Sequence, residues 1–224
     1  MNWGAVIVAA GRGTRFGRPK QLVEIAGRPM LAWSVQTFAS MSEIGEIVVV
    51  TEREWLGAVE DVTRAQAARC ALTVVGGGAT RQASVRCGLA ALPASCDAVL
   101  VHDGARPLVR ADDVRAGMRE VRPGRAAVLA APVVDTIKVV DPRTMLVLRT
   151  LDRGTLWAAQ TPQFAMREEL VRAHDVASAA ALEATDDVAL LESIGIDVAV
   201  IPGSAENFKV THPGDVARAA VLLQ

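Results

Sequence analysis

Short apolar runs rich in Val, Ile, Leu and Ala recur along this chain, and amphipathic stretches separate them almost from end to end. That alternation constrains the fold more than any other feature, because a strand–helix–strand rhythm closes most readily as a parallel sheet covered by helices. Runs at 5–10, 46–51, 71–76, 97–103, 126–133 and 196–202 read as strands. Several are continuous rather than alternating, as expected of strands buried on both faces. Stretches 30–39, 53–69, 81–91, 111–121, 166–181, 186–194 and 213–223 read as helices. Pro213 suits a first helical position, and Thr185 before Asp186 and Asp187 suits an N-cap followed by an acidic first turn. The 224 residues fit a single α/β domain spanning 1–224, with no internal repeat, low-complexity tract or linker.

One segment departs from the rhythm. Residues 135–153 place β-branched residues on both sides of an Asp-Pro turn and read as a two-stranded ribbon. An isolated hairpin is only marginally stable, so this arm needs a surface to lean on, and a second subunit is the natural candidate.

Composition removes several classes of function. No apolar run is long enough to span a bilayer, and the first residues lack the pattern of a secretory leader. Cys70, Cys87 and Cys96 show neither a disulfide framework nor metal-ligand spacing, which predicts core thiols of a cytoplasmic protein. A formal net charge of −1 offers no basic field for nucleic acid. Only three of the 24 Lys and Arg residues are lysines: Lys20, Lys138 and Lys209. Lysine is a compact point charge where arginine is a planar fork.

The chemistry-bearing residues lie in turns that follow strands. In "VIVAAGRGTRFGRPKQL" a strand breaks into Gly11 and Gly13 and is followed by Arg15 and Lys20. The spacing matches neither a Walker A loop nor a dinucleotide fingerprint. What it offers is open backbone N–H groups beside fixed cations, which suits a triphosphate. "VGGGATRQASV" ends the third strand in glycines, where Gly78 and nearby Ser84 could receive a base edge. "VLVHDGARPLV" delivers Asp103 and Arg106 at a strand's carboxyl end; the carboxylate suits Mg²⁺ held jointly with phosphate oxygens, and the guanidinium suits an anionic or polyol substrate. His102 alternates to the other face, as a core or supporting residue. Arg153 and Thr161 in "TLDRGTLWAAQTPQF" and Lys209 in "AENFKVTHPGD" add two cations and a hydroxyl, read as loop residues suited to a phosphomonoester. No Ser–His–Asp arrangement or carboxylate pair stands out. Displacement at phosphorus by an already anionic substrate needs only position and positive charge.

The strings "AAGRGTRFGRPKQ", "GGGATRQASV", "VHDGARP", "DTIK", "TLDRGTLWAAQTPQF", "TDD" and "ENFKVT", in that order from about residue 5 to residue 214, resemble the 2-C-methyl-D-erythritol 4-phosphate cytidylyltransferases of non-mevalonate isoprenoid synthesis. The resemblance implies a homodimeric, Rossmann-like three-layer nucleotidyltransferase with a protruding β-arm. It implies the joining of CTP to methylerythritol phosphate with Mg²⁺ and release of pyrophosphate. On the matching positions, Arg15 and Lys20 would stabilise the CTP phosphates, and Ala9, Ala10, Gly11, Gly13, Gly78 and Ser84 would receive the nucleotide. Asp103 would serve Mg²⁺ and substrate, and Arg106 would contact the sugar alcohol. Thr136, Arg153, Thr161, Thr185 and Lys209 would hold the acceptor phosphate, with the 135–153 arm reaching the other subunit. Ala9 stands where the family commonly has proline, Ala79 where some members have Asp beside the base, and Gly104 where alanine is frequent. Some relatives carry a fused downstream domain, for which this chain ends too early. The same loops also suit a ribitol-5-phosphate cytidylyltransferase, or a nucleotide-binding module without catalysis.

Overall fold

The structure, a computed structural model, describes residues 1–11, 19–67 and 70–223. The strand β1 (Trp3–Val8) is followed by a small hairpin of β2 (Glu24–Ile25) and β3 (Arg28–Pro29), then by α1 (Met30–Ala39). Ala26 and Gly27 both take positive φ, which lets two residues reverse the chain. Next come β4 (Ile44–Thr51), α2 (Leu56–Arg64), β5 (Ala71–Gly76), α3 (Arg81–Ala91), β6 (Ala98–Asp103), α4 (Ala111–Glu120) and β7 (Arg125–Pro132). The chain then makes β8 (Lys138–Val140), β9 (Val147–Thr150), β10 (Trp157–Met166), α5 (Arg167–Ala179), α6 (Asp187–Ser193), β11 (Asp197–Pro202) and α7 (Pro213–Leu222).

Seven strands form one sheet in the order β11-β7-β10-β6-β1-β4-β5. Every neighbouring pair is parallel except those made by β10, which runs antiparallel between β6 and β7. The expected mostly parallel α/β sheet is therefore present, with one reversed strand near its middle. The alternation of side chains divides the core in two. Ala5, Ile7, Ile47, Val49 and Leu100 face Leu31, Val35, Phe38, Val114 and Met118 on one side. Val6, Val48, Val50, Val99 and Val101 face Val85, Leu89, Leu170, Ala173 and Leu191 on the other. Each fully buried aliphatic side chain contributes about 1.5–3 kcal/mol, so these layers make a rigid platform. Gly117 on α4 meets the Phe164 ring so closely that a Cβ would lie 2.3 Å from it.

The reversed strand corrects the sequence reading, which treats "TLDRGTLWAAQTPQF" as loop. Proline removes a ladder donor and argues against a central strand. Pro162 fits because the ladder is broken there: Ala159 faces Ala130 and Gln163 faces Val128, so more chain passes on β10 than on β7. A second correction concerns α6, whose N-cap is Asp186, accepting from the Ala189 N–H, rather than Thr185. Pro213 does open α7, behind a capping box between His212 and Asp215. The 135–153 ribbon is the β8–β9 hairpin, a separate two-stranded sheet whose 143–150 segment is wholly exposed. Among the described residues no helix is long and apolar enough to cross a membrane.

Candidate active site

From β1 the chain moves outward to β4 and β5, then returns to place β6 on the other side of β1. Such a reversal of direction opens a crevice at the carboxyl ends of the strands. A cleft of about 490 Å³ lies there, lined by the ends of β1, β4, β5 and β6 and by Lys20 and Lys209. A second cavity of about 270 Å³ adjoins it, lined by Arg106, Gln160, Thr161, Gln163, Thr185 and Asp186. Arg81, Asp103 and Lys209 line both.

The predicted residues thus fall into three sets. Ala9, Ala10, Gly11, Lys20, Gly78, Ser84, Asp103 and Lys209 line the larger cleft. Asp103, Arg106, Thr161, Thr185 and Lys209 line the smaller cavity. Thr136 and Arg153 line neither; both are exposed, and Arg153 Nη1 donates to the Val134 carbonyl at 2.8 Å. Gly13 and Arg15 lie outside the described residues.

Local chemistry explains the placements. Thr80 caps α3 by accepting from the Ala83 N–H, which fixes where the glycine loop ends. A Cβ on Gly78 would lie 2.5 Å from the Ala83 methyl, so the loop can press onto the helix only as glycine. The buried Ser84 hydroxyl accepts from the Gly78 N–H at 3.2 Å and donates to the Thr80 carbonyl at 2.9 Å. Ser84 therefore shapes the loop that faces the ligand. Lys20 follows Pro19 in a short 3₁₀ turn, and its Nζ donates to the Val210 carbonyl at 2.9 Å. Val210 is pinned to the sheet edge by its own N–H, which donates to Ala105. Buried Asn207 holds the same segment by donating to Gln160 Oε1 and to the Thr161 carbonyl. That segment aims Lys209, whose Nζ lies 2.7 Å from Asp103 Oδ2.

Asp103 is the junction. It does not pair with its near neighbour Arg106, which donates to the Asn207 carbonyl at 2.7 Å instead. Arg81 Nε meets Asp103 Oδ1 at 3.1 Å, while Arg81 Nη1 meets the buried Asp187 at 2.8 Å. Burial by itself would raise the Asp103 carboxyl; the charges of Arg81 and Lys209 outweigh it and hold the group well below the usual carboxylate range. Burial likewise opposes the Arg81 charge, but Asp187 and Asp103 prevail and push it above the usual guanidinium value. Arg106 lacks such a partner, and burial lowers it.

Behind the junction, Asp103 N–H donates to Thr161 Oγ1 at 3.0 Å. Thr161 Oγ1 in turn lies 3.1 Å from His102 Nδ1, and His102 Nε2 lies 3.1 Å from the Arg106 carbonyl. A carbonyl can only accept, so Nε2 carries the proton and Nδ1 accepts from Thr161. Burial lowers His102 to about 4 and keeps it neutral. His102 is a brace, as its place in the strand suggests, and not a base.

Sequence reasoning missed Arg81, Asp187 and Gln163. Gln163 Oε1 accepts from the N–H groups of Asp187 and Val188, and its Nε2 donates to Asp186. A signal for Arg81 was available. It begins α3, where the helix dipole disfavours a cation, so an arginine there implies a carboxylate partner nearby.

The sequence model of the family described as 2-C-methyl-D-erythritol 4-phosphate cytidylyltransferase matches residues 4–224. A curated relative of that description from Streptomyces coelicolor is 44% identical over 98% of this chain and 84% of its own length. The chain belongs to this family. Two solved structures agree in fold. A 4-diphosphocytidyl-2C-methyl-D-erythritol synthase from Anaerococcus prevotii aligns with a TM-score of 0.86 at 28% identity, covering 100% of this chain and 98% of that one. The 2-C-methyl-D-erythritol 4-phosphate cytidylyltransferase of Thermus thermophilus aligns at 0.77 and 34% identity, covering 99% and 98%. Ala9 donates its N–H to the Val50 carbonyl at 2.7 Å, so the turn stays anchored to β4. At Gly104 a Cβ would lie 3.0 Å from Leu31, a contact that glycine relieves.

Proposed function

We propose that this chain joins CTP to 2-C-methyl-D-erythritol 4-phosphate, giving 4-diphosphocytidyl-2-C-methyl-D-erythritol and pyrophosphate for isoprenoid precursor synthesis. One observation carries the reading: two cavities, one large enough for a nucleotide, meet at Asp103 between the cations Arg81 and Lys209. An oxygen of the acceptor phosphate forms a bond to the α-phosphorus of CTP as the bond to the β-phosphate bridge breaks. The electron pair leaves with pyrophosphate, and no side chain of the protein needs to become a nucleophile.

The residues divide by what they do to charge. Lys20, with Arg15 beside it in the sequence, stabilises the triphosphate and the charge that builds on the departing pyrophosphate. Main-chain groups of Ala9, Ala10, Gly11, Gly13 and Gly78 receive the nucleoside, on a loop that Ser84 holds in shape. Lys209, Arg106, Thr161 and Thr185 hold the acceptor in the smaller cavity. Bringing two anions together in a partly buried site is the main barrier, and fixed cations lower it without reorganising.

The donor set fits Mg²⁺ in a limited way. Among the described residues no three His, Cys, Asp or Glu side chains cluster as ligands. Asp103 is a single carboxylate, each oxygen of which accepts one hydrogen bond and keeps a lone pair. It therefore suits an ion held mostly by phosphate oxygens and water. When bound there, Mg²⁺ supplies charge neutralisation across the phosphates.

Thr136 and Arg153 complete the acceptor site of a second copy in this reading, and the exposed β8–β9 hairpin reaches across a homodimer. Pyrophosphate release from CTP, measured with methylerythritol phosphate and with ribitol 5-phosphate, tests the whole assignment. Faster turnover of ribitol phosphate would replace the acceptor named here.

A further inference from the structure

Glu52 directly follows β4 and lines the larger cleft beside Gly77, Gly78 and Ala79. The residue is half-buried, and its Oε1 is buried with no hydrogen-bond partner among the described residues. A carboxylate oxygen withdrawn from water without a donor is costly, and a ligand that brings a donor removes the cost.

The surroundings narrow that donor. The Gly77 N–H is already committed to the Thr51 carbonyl at 2.7 Å. Arg53 is laid along the strand end, with its Cγ 2.9 Å from where a Cβ on Gly76 would stand, and among the described residues no ion pair joins it to Glu52. Phosphates are excluded, since a carboxylate repels them and they have Lys20, Arg81 and Lys209 on the same cleft. The ligand part facing Glu52 is therefore the uncharged nucleoside. Ala79, a methyl on the same stretch of the cleft, brings no side-chain acceptor of its own.

Resting on the reading of this cleft as the CTP site, we propose that Glu52 selects the base by accepting a hydrogen bond from the exocyclic amino group of cytosine. Uracil presents a carbonyl oxygen at that position. Two acceptors would then face each other, and the mismatch leaves both unpaired.

The test compares kcat/KM for CTP, UTP and 2′-deoxy-CTP in the full-length wild type, in Glu52→Gln and in Glu52→Ala. Calorimetric binding of CTP and UTP without acceptor serves as a readout independent of turnover. The CTP-over-UTP ratio should fall by about tenfold or more in both variants, with the melting temperature of the free Glu52→Gln protein not lowered and the ratio of CTP to 2′-deoxy-CTP unchanged. Retained selectivity for CTP in both assays overturns the proposal. So does a loss confined to the comparison with 2′-deoxy-CTP, which would put the carboxylate at the ribose. Glu52→Gln preserves the side-chain volume, so selectivity can be read from it even where the alanine variant is poorly folded. A wild type that does not use CTP refutes the cytidylyltransferase reading itself; a wild type that does, beside variants that still prefer CTP, refutes only Glu52.

Discussion

The cleft and the β8–β9 hairpin carry residues of the same expected site but obey opposite rules. In the cleft two buried carboxylates are paired inside the chain: Asp103 with Arg81 and Lys209, Asp187 with Arg81 and His174. On the hairpin Met145, Leu146, Val147 and Leu148 are all more than half exposed, and Arg153 makes its side-chain bond to a backbone carbonyl. A paired, buried network is finished by its own chain. An exposed apolar ribbon is not, and larger patches of this kind mark interaction surfaces. The contrast divides the site into a part that one chain completes and a part that, in the proposed dimer, a second chain supplies.

The sharpest blow to the finished part is Arg81→Met. It leaves buried Asp187 with His174 alone and removes one of two cations from Asp103, and breaking a buried pair from one side costs about 3–5 kcal/mol. Urea unfolding should show a loss on that scale together with lost turnover. Unchanged stability would mean that the Arg81 bridge is dispensable. Lys20→Ala should leave the fold intact and lower kcat on the order of 10², the scale of removing one preorganised electrostatic donor. Full turnover would remove Lys20 from the phosphates.

His102 sharpens the comparison through pH. Its folded value of about 4 lies below its ordinary value near 6.5, so the unfolded chain binds more protons between the two. The stability from a neutral His102 is complete above about pH 6.5 and is lost as pH falls toward 4, by roughly 2 kcal/mol at pH 5. Asp103 acts in the same sense but only below its own ordinary range near 3.8. Urea midpoints between pH 7.5 and 5 should therefore decline in wild type and flatten in His102→Gln. An equal slope in both would assign the effect elsewhere.

Arg153→Ala should weaken acceptor use while leaving CTP binding as it was. Mixed with Lys20→Ala subunits it should regain activity, because some hybrid sites then hold both residues. No recovery despite confirmed subunit exchange would return Arg153 to its own chain. The smallest effect is expected at the hairpin tip. Leu146→Ser with Leu148→Ser should change the stability of one chain by less than about 0.5 kcal/mol and shift sedimentation toward the monomer.

Much of this was legible because the sheet is built from local patterns. Val- and Ile-rich runs announce β1, β4, β5 and β6, and their carboxyl ends deliver Ala9, Ala10, Gly78 and Asp103 to one cleft. Lys209 and Lys20 were legible as cations in turns, though not the shared Val210 segment that aims them. What stayed hidden is non-local. β10 is masked by Pro162, whose tolerance depends on a bulge set by a neighbouring strand. The bond from Arg81 to Asp187 spans residues far apart in sequence, and neither end states the other. Asp186 takes the cap expected of Thr185, and Gln163 on that same reversed strand bonds to it.

Hairpin and acceptor cavity are also consecutive along the chain, since Val147–Thr150 leads through Arg153–Thr155 into the strand that carries Gln160, Thr161 and Gln163. Residues added at the tip, near 142–145, would merely lengthen the ribbon. One residue added between Leu156 and Ala159 would slide a pleated strand by a single step and turn its side chains to the opposite layer. Natural length variation should therefore be tolerated at the tip and forbidden at the root, whatever the residues themselves are.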